Sequence, residues 1–268
     1  MQTGFYVNTG AMVAQFNRLD TISNNLANAN TAGFKRDDVV IGDYMRLYQE
    51  THDELPLRNH TRQASQHLNR AMVRVPQVVE GYTNHDLGAF AQTGNPLDIA
   101  LQNPNLFFSV ETPGGVRYTR DGSFRLDDQG FLVAKEGFRV LDNNNNPIQF
   151  SPDRHITVNS EGGIFLQDNN NLEDVEELAN LGIVRFDKPK WLTNTGHNYY
   201  KTDEMTIQPE GQNLAIQGYI EKSNINTISE MTALIETNRL VGMYQKVMDT
   251  HMNELNGDAI NKLATIKA

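Results

Sequence analysis

The chain has 268 residues, with 23 Lys and Arg against 33 Asp and Glu for a formal net charge of −10, and it contains no cysteine. The acidic balance argues against nucleic-acid binding, which needs clustered cations to displace phosphate counterions. The absence of thiols excludes a disulfide scaffold, a thiolate zinc site, an iron–sulfur cluster and a cysteine nucleophile. Counted with Gly and without Tyr, the apolar share is about 42%, slightly low for a globular chain, which suggests an elongated or partly unfolded monomer. No apolar run is long enough to cross a bilayer, so no membrane insertion is expected. The opening residues Met1 to Tyr6 lack the basic and apolar regions of a secretory signal, so Sec-type export is not expected.

Both ends read as helices. At the N-terminus Phe5, Met12, Leu19 and Leu26 recur every seven residues, with Phe16 and Ile22 on the same side and polar residues between. This is a narrow seam of the coiled-coil kind rather than a broad core face. It runs into an Asn-rich stretch, Asn24-Asn25-Leu26-Ala27-Asn28-Ala29-Asn30-Thr31-Ala32-Gly33. Gly33 reads as the helix stop.

Residues 37 to 83 follow neither a helical nor a strand pattern cleanly. Tyr44, Leu47 and Tyr48 suggest a short helix, and Thr51 to Asn69 an extended connector. From Asn84 to about Gln217 the chain reads as β structure punctuated by turns. Val116 and Tyr118, then Arg120-Asp121-Gly122-Ser123, then Phe124 and Leu126 predict a hairpin with Asp-Gly at its tip. Further turns are expected at 127–130, 135–137 and 142–147. Turns this frequent imply an antiparallel meander or small barrel.

At the C-terminus Leu234, Val241, Met248 and Leu255 are again seven apart, and Met231 and Met252 hold the second seam position with Asn238 and Gln245 between them. Asn256-Gly257 reads as the first break in this helix, with Asp258 to Ala268 either a short continuation or a frayed tail. Methionine gives such a stripe adaptable packing. Narrow seams at opposite ends of a chain whose middle looks self-sufficient point to assembly between molecules.

Candidate chemistry is sparse. His52-Asp53 and His85-Asp86 are sequence neighbours whose side chains diverge, so neither forms a base with its orienting carboxylate, and surface histidine is the expectation. Asp142 to Asn146 and Asp168 to Asn171 resemble calcium loops but lack required ligand positions. Neither a metal nor a cofactor is expected, and the acidic run 173–177 reads as a solvated face. A hydrolase built on the β region, with His85, Asp86 and Asp98 as its candidate residues, is the rival reading. A coiled-coil adaptor that stops at a discrete dimer is another.

Three ordered stretches resemble the bacterial flagellar rod and hook proteins. They are Ser23 to Arg36; Asn95-Pro96-Leu97-Asp98-Ile99-Ala100-Leu101 with Phe107-Phe108 and Tyr118 to Phe124; and Ser223-Asn224-Ile225-Asn226 with Glu230-Met231, Ile235 to Arg239 and Lys246. The resemblance implies an α+β subunit whose terminal helices pair as a coiled coil, with a central antiparallel β domain. The expected divisions are 1–35 and 223–268 as assembly helices, 36–83 as connector and 84–222 as the β domain. It implies a non-enzymatic part of the drive shaft in the periplasm, exported unfolded by the flagellar type III apparatus without a cleaved signal. Its implied partners are copies of itself and other rod proteins, with the hook protein, the P/L ring and the MS ring as further candidates. Besides the seam residues, Asn24, Asn25, Asn28, Gly33, Phe34, Ile235 and Arg239 would belong to the assembly surface. Gln102 to Leu106 stand where the distal rod and hook pattern has Gly-x-Gly, and the length leaves no room for a large outer domain. Within the family the chain therefore leans toward the proximal rod, with the distal rod as alternative.

Overall fold

The computed structural model describes residues 2–44, 75–151, 154–168, 171–202 and 214–265. The fold is α+β. Helix α1 covers Gln2–Ala27 and helix α2 covers Thr227–Thr265. Between them lie strands β1 (Arg36–Tyr44), β2 (Val75–Asn84), β3 (Phe90–Gln92), β4 (Ile99–Leu101), β5 (Leu106–Thr112) and β6 (Gly115–Thr119). The short strands β7 (Arg125–Leu126), β8 (Leu132–Val133) and β9 (Arg139–Val140) come next, then β10 (His155–Val158), β11 (Gly163–Asp168), β12 (Asn171–Asn180) and β13 (Ile183–Arg185). A 3-10 turn at Pro189–Trp191 precedes β14 (Thr193–Asn194), β15 (Tyr199–Lys201), β16 (Ala215–Gln217) and β17 (Tyr219–Glu221).

The chain divides into two compact units. One contains residues 1–24, 37–82 and 228–268; the other contains 25–36 and 83–227. In the first, β1 and β2 form a two-stranded sheet. Tyr44 therefore ends a strand rather than belonging to a short helix, while Leu47, Tyr48, His52, Asp53 and the stretch from Thr51 to Asn69 lie outside the described residues.

The second unit is built around β5. Its sheet runs β14-β15-β6-β5-β9-β8-β7, and β13 shares the β9 side of β5, pairing with its first half. The pairings are antiparallel. Because side chains alternate along a strand, Leu106, Phe108 and Val110 enter the main core while Phe107 enters a second cluster with Val184, Phe186, Leu192 and Tyr200. Both faces of β5 are thus covered, which explains its nearly unbroken apolar run. A three-stranded sheet β10-β11-β12 and the pairs β16-β4 and β17-β3 complete the unit.

Three expected turns form as the sequence suggests. The Asp127 carboxylate accepts from the Gln129 and Phe131 N–H groups between β7 and β8, and Asp142 accepts from Asn144 and Asn146. The turn at 135–137 joins β8 to β9, which pair through Val133 and Arg139. The Asp-Gly hairpin does not form. The tip instead falls between Thr112 and Gly115, where β5 turns into β6. Residues 120–124 run on as a connection to β7, because the Asp121 carboxylate is occupied by the Ser123 N–H and hydroxyl and Gly122 faces Ile99. Gly122 serves close approach rather than turning: its carbonyl accepts from the Ile99 N–H at 3.0 Å, and a Cβ there would collide with the Ile99 carbonyl.

Two helix ends also differ from expectation. Helix α1 stops at Ala27, ahead of Gly33, as Asn28 and Thr31 N–H groups bond back to the Asn25 and Asn28 carbonyls in successive turns. Helix α2 runs through Asn256-Gly257 to Thr265, a glycine in a helix costing only about 1 kcal/mol relative to alanine. Gly122→Ala is expected to lower unfolding free energy by about 1–3 kcal/mol, as overpacking does, in urea denaturation followed by tyrosine fluorescence. An unchanged midpoint would contradict the close-approach account.

Candidate functional site

The second unit is closed by one carboxylate. Glu221, at the end of β17, is buried together with Lys35 and Arg120. Its Oε1 accepts from Lys35 Nζ at 2.6 Å and from the Gly88 N–H at 2.8 Å. Its Oε2 accepts from Arg120 Nε at 2.9 Å and Nη2 at 2.6 Å, a forked geometry that only a guanidinium supplies. The cations are satisfied beyond the carboxylate. Lys35 donates to the Asp86 carbonyl at 2.7 Å, and Arg120 Nη1 donates to the carbonyls of Asn103 and Leu106, both at 2.5 Å.

Neighbouring amides extend this junction. The Glu221 carbonyl accepts from the Gly33 N–H at 2.8 Å. Asn224 accepts from the Arg36 N–H at 2.9 Å and donates to the carbonyls of Asn84 and Asp86. Asn198 donates to the Ala32 carbonyl at 3.0 Å. Gly33 has φ +66° and sits against the backbone of Arg120 and Asp121, so both its conformation and its space exclude a side chain. The three stretches that carry the family resemblance therefore meet at one point.

Burial lowers the Lys35 pKa to about 8, with nearby Arg120 acting in the same direction and Glu221 opposing. Burial likewise lowers the pKa of Arg120, against the pull of Glu221. His85 is 6% exposed and not the surface residue expected. It packs edge-on against Phe107 and Tyr200, with centroids 5.6 and 5.3 Å away. Burial, then Lys35 and Arg120, hold its pKa down at about 4.

These groups do not form a catalytic site. Asp86 is exposed beside the buried His85, and Asp98 accepts from Asn95 Nδ2 at 3.1 Å and pairs by backbone with Ser123. Among the described residues no group of three or more His, Asp or Glu could hold a metal ion. Asp142 is used by its own turn, and Glu176 and Glu177 are exposed on β12.

The seam residues distribute as follows. In the first unit Ile22 and Val241 are buried, and Met12, Leu19, Leu234 and Met248 are half-buried. Asn24 and Arg239 are exposed, as are Phe16 (40%), Met231 (51%), Ile235 (62%) and Met252 (51%). Phe5 and Leu255 lie within α1 and α2. In the second unit Asn25, Gly33 and Phe34 are buried and Leu26 and Asn28 half-buried. Val241 lies on the seven-residue seam read in the sequence, whereas the second covered line of α2 passes through Glu230 and Thr237, one position before Met231 and Asn238. A heptad pattern in which polar and apolar residues share the seam leaves that shift undetermined by composition.

The chain combines a β unit held by a buried ion cluster with two long terminal helices. Comparison with known proteins gives its family. Residues 5–35 match the family described as Flagella basal body rod protein, residues 103–166 the Flagellar hook protein FlgE/F/G D1 domain, and residues 216–261 the Flagellar basal body rod FlgEFG protein C-terminal. The chain is 32% identical over 251 residues to the flagellar basal-body rod protein FlgF of Rhizobium meliloti (strain 1021), covering 89% of each. It is 30% identical over 268 residues to FlgF of Caulobacter vibrioides, covering 99% of this chain and all of that one. Similarity to FlgG of Borreliella burgdorferi is 28% over 264 residues, 95% of this chain and 97% of that one. The chain belongs to the flagellar basal-body rod protein family. It is a structural component of the flagellar basal body and not an enzyme, and no described helix is long and apolar enough to cross a membrane.

Removing the shared acceptor should leave two buried cations unbalanced. Glu221→Gln is expected to destabilise the protein by about 3–5 kcal/mol, the usual effect of breaking a buried pair, and Lys35→Met by less, since Arg120 and Gly88 still hold the carboxylate. Urea titrations of both variants would check this order, and equal small effects would refute it.

Proposed function

We propose that the chain is a proximal-rod subunit of the FlgF kind, whose terminal helices pair as a coiled coil and pack in helical array to form a shaft transmitting torque through the periplasm. The observation that carries this reading is the second apolar stripe of α2. Ile228 is 77% exposed and Ile235 62%, and Met231, Met243, Val247 and Met252 are exposed as well. Apolar residues on a face left exposed among the described residues mark an interaction surface, while the opposite stripe supplies the intrachain seam. Pairing of the helices is supported by Thr9 Oγ1, which donates to Met248 Sδ at 3.6 Å.

Contacts that join unlike surfaces generate open helical arrays, and polar positions in the seam favour one register. The partners under this reading are copies of the chain and other rod proteins, with hook and ring components at the ends or flanks of the shaft. The subunit reaches the periplasm unfolded through the type III export apparatus. Proximal placement rests on Gln102 to Leu106. Where the distal pattern has Gly-x-Gly, this loop gives two carbonyls to Arg120. Relatives named FlgG at 28–31% identity keep the distal rod as the alternative.

Ile235→Asp is expected to leave the monomer's thermal midpoint within about 2 °C, as exposed substitutions do, but to abolish incorporation into basal bodies and motility. Leu19→Asp and Val241→Asp should also abolish incorporation while the β unit stays folded. Normal swimming by all three variants would remove the helices from the mechanism.

A further inference from the structure

We propose that His85 is an acid-operated latch on the Glu221 junction: a proton on its imidazole opens the contacts among residues 31–36, 85–88 and 219–224, loosening the chain at both points that lead toward the terminal helices. The ring is buried between Phe107 and Tyr200, and neither nitrogen has a hydrogen-bond partner among the described residues. The Pro189 backbone lies near enough to favour the protonated ring slightly, but not enough to offset burial.

The charged groups facing the ring are Lys35 from the segment after α1, Arg120 from the segment after β6, and Glu221 from β17. Both Glu221 oxygens are already occupied, one by Lys35 and Gly88, the other twice by Arg120. The Asp86 side chain is exposed. A protonated His85 would therefore be a third buried cation around a single saturated carboxylate, with only the Pro189 backbone near enough to favour it. Opening the junction relieves that charge. Asp86 transmits the change directly, since its carbonyl holds both Lys35 Nζ and Asn224 Nδ2. A phenylalanine would fill the same aromatic pocket, and the property the imidazole adds is titration.

The sign follows from the ring's two states. Its pKa is about 4 when closed and near the ordinary ~6.5 when exposed, so the open form binds the proton more tightly and is favoured as pH falls from 6.5 to 4. The opening constant should rise about 30-fold between pH 7.5 and pH 5. The test is hydrogen exchange of amides 31–36 and 219–224 in the full chain, corrected for intrinsic rates, at those two pH values in wild type and His85→Phe. The wild type should show the rise and the variant should lose it. Proton–nitrogen NMR of the histidine rings in the wild type is the second measurement, and it decides the matter if the variant does not fold. His85 should remain neutral in the closed form down to about pH 4. Titration near 6.5 with the junction still protected, or an undiminished acid response in His85→Phe, would overturn the proposal.

Discussion

The β unit depends on a single carboxylate taken out of water. Glu221 is held in the interior by two cations and a backbone N–H drawn from three parts of the chain. Such a group adds little net stability compared with a well-packed apolar cluster, because desolvation offsets much of the attraction. What it supplies is specificity: the forked Arg120 contact and the reach of Lys35 fit only one relative placement of the segments at 33–36, 120 and 221. Apolar packing around β5 then builds a core of 0–7% exposed residues on both faces of one strand. Apolar contacts drive the folding, and the ion cluster decides which segments close it.

This division of labour suits a subunit whose ends must serve a purpose other than its own core. Arg36 and Asn224 are bonded to each other, and α2 begins three residues beyond Asn224. The segments that lead into the two helices are therefore tied to each other within the second unit, while Ile228, Met231 and Ile235 of α2 are exposed. Under the assembly proposed above, such stripes gain strength through repetition, each apolar anchor contributing at roughly 25 cal/mol per Å² buried. A terminal helix too apolar on all sides would aggregate before reaching its partners.

Much of this was legible in the sequence. The seven-residue recurrences gave both helices, the polar turn stretches at 127–130, 135–137 and 142–147 gave three of the turns, and the motif stretches gave the family. The misreadings have physical causes. Asp121-Gly122 carries the composition of a hairpin tip, yet a turn signal is silent about a neighbour such as Ile99, whose carbonyl demands the same glycine for space. The β1-β2 pair was missed because an isolated two-stranded sheet has no core to impose alternation on its residues. Glu221, 101 and 186 positions away from its partners Arg120 and Lys35, leaves no local pattern. The visible clue was that Lys35 and Arg120 each lie inside one of the motif stretches. His85 looked like a surface residue because imidazole is intermediate in burial preference, and nothing nearby in sequence announces the Phe107–Tyr200 pocket.

The most direct test of the shared-carboxylate account is a double-mutant cycle between Lys35→Met and Arg120→Met, measured as unfolding free energies in urea. Either substitution alone leaves Glu221 with one cation, whereas both together leave it buried with none. The double variant should therefore lose more stability than the sum of the single losses, by about 0.5–3 kcal/mol, the range of coupling seen between residues in one network. Additive losses would show that the two cations act independently, and would contradict the claim that one carboxylate holds the three segments together.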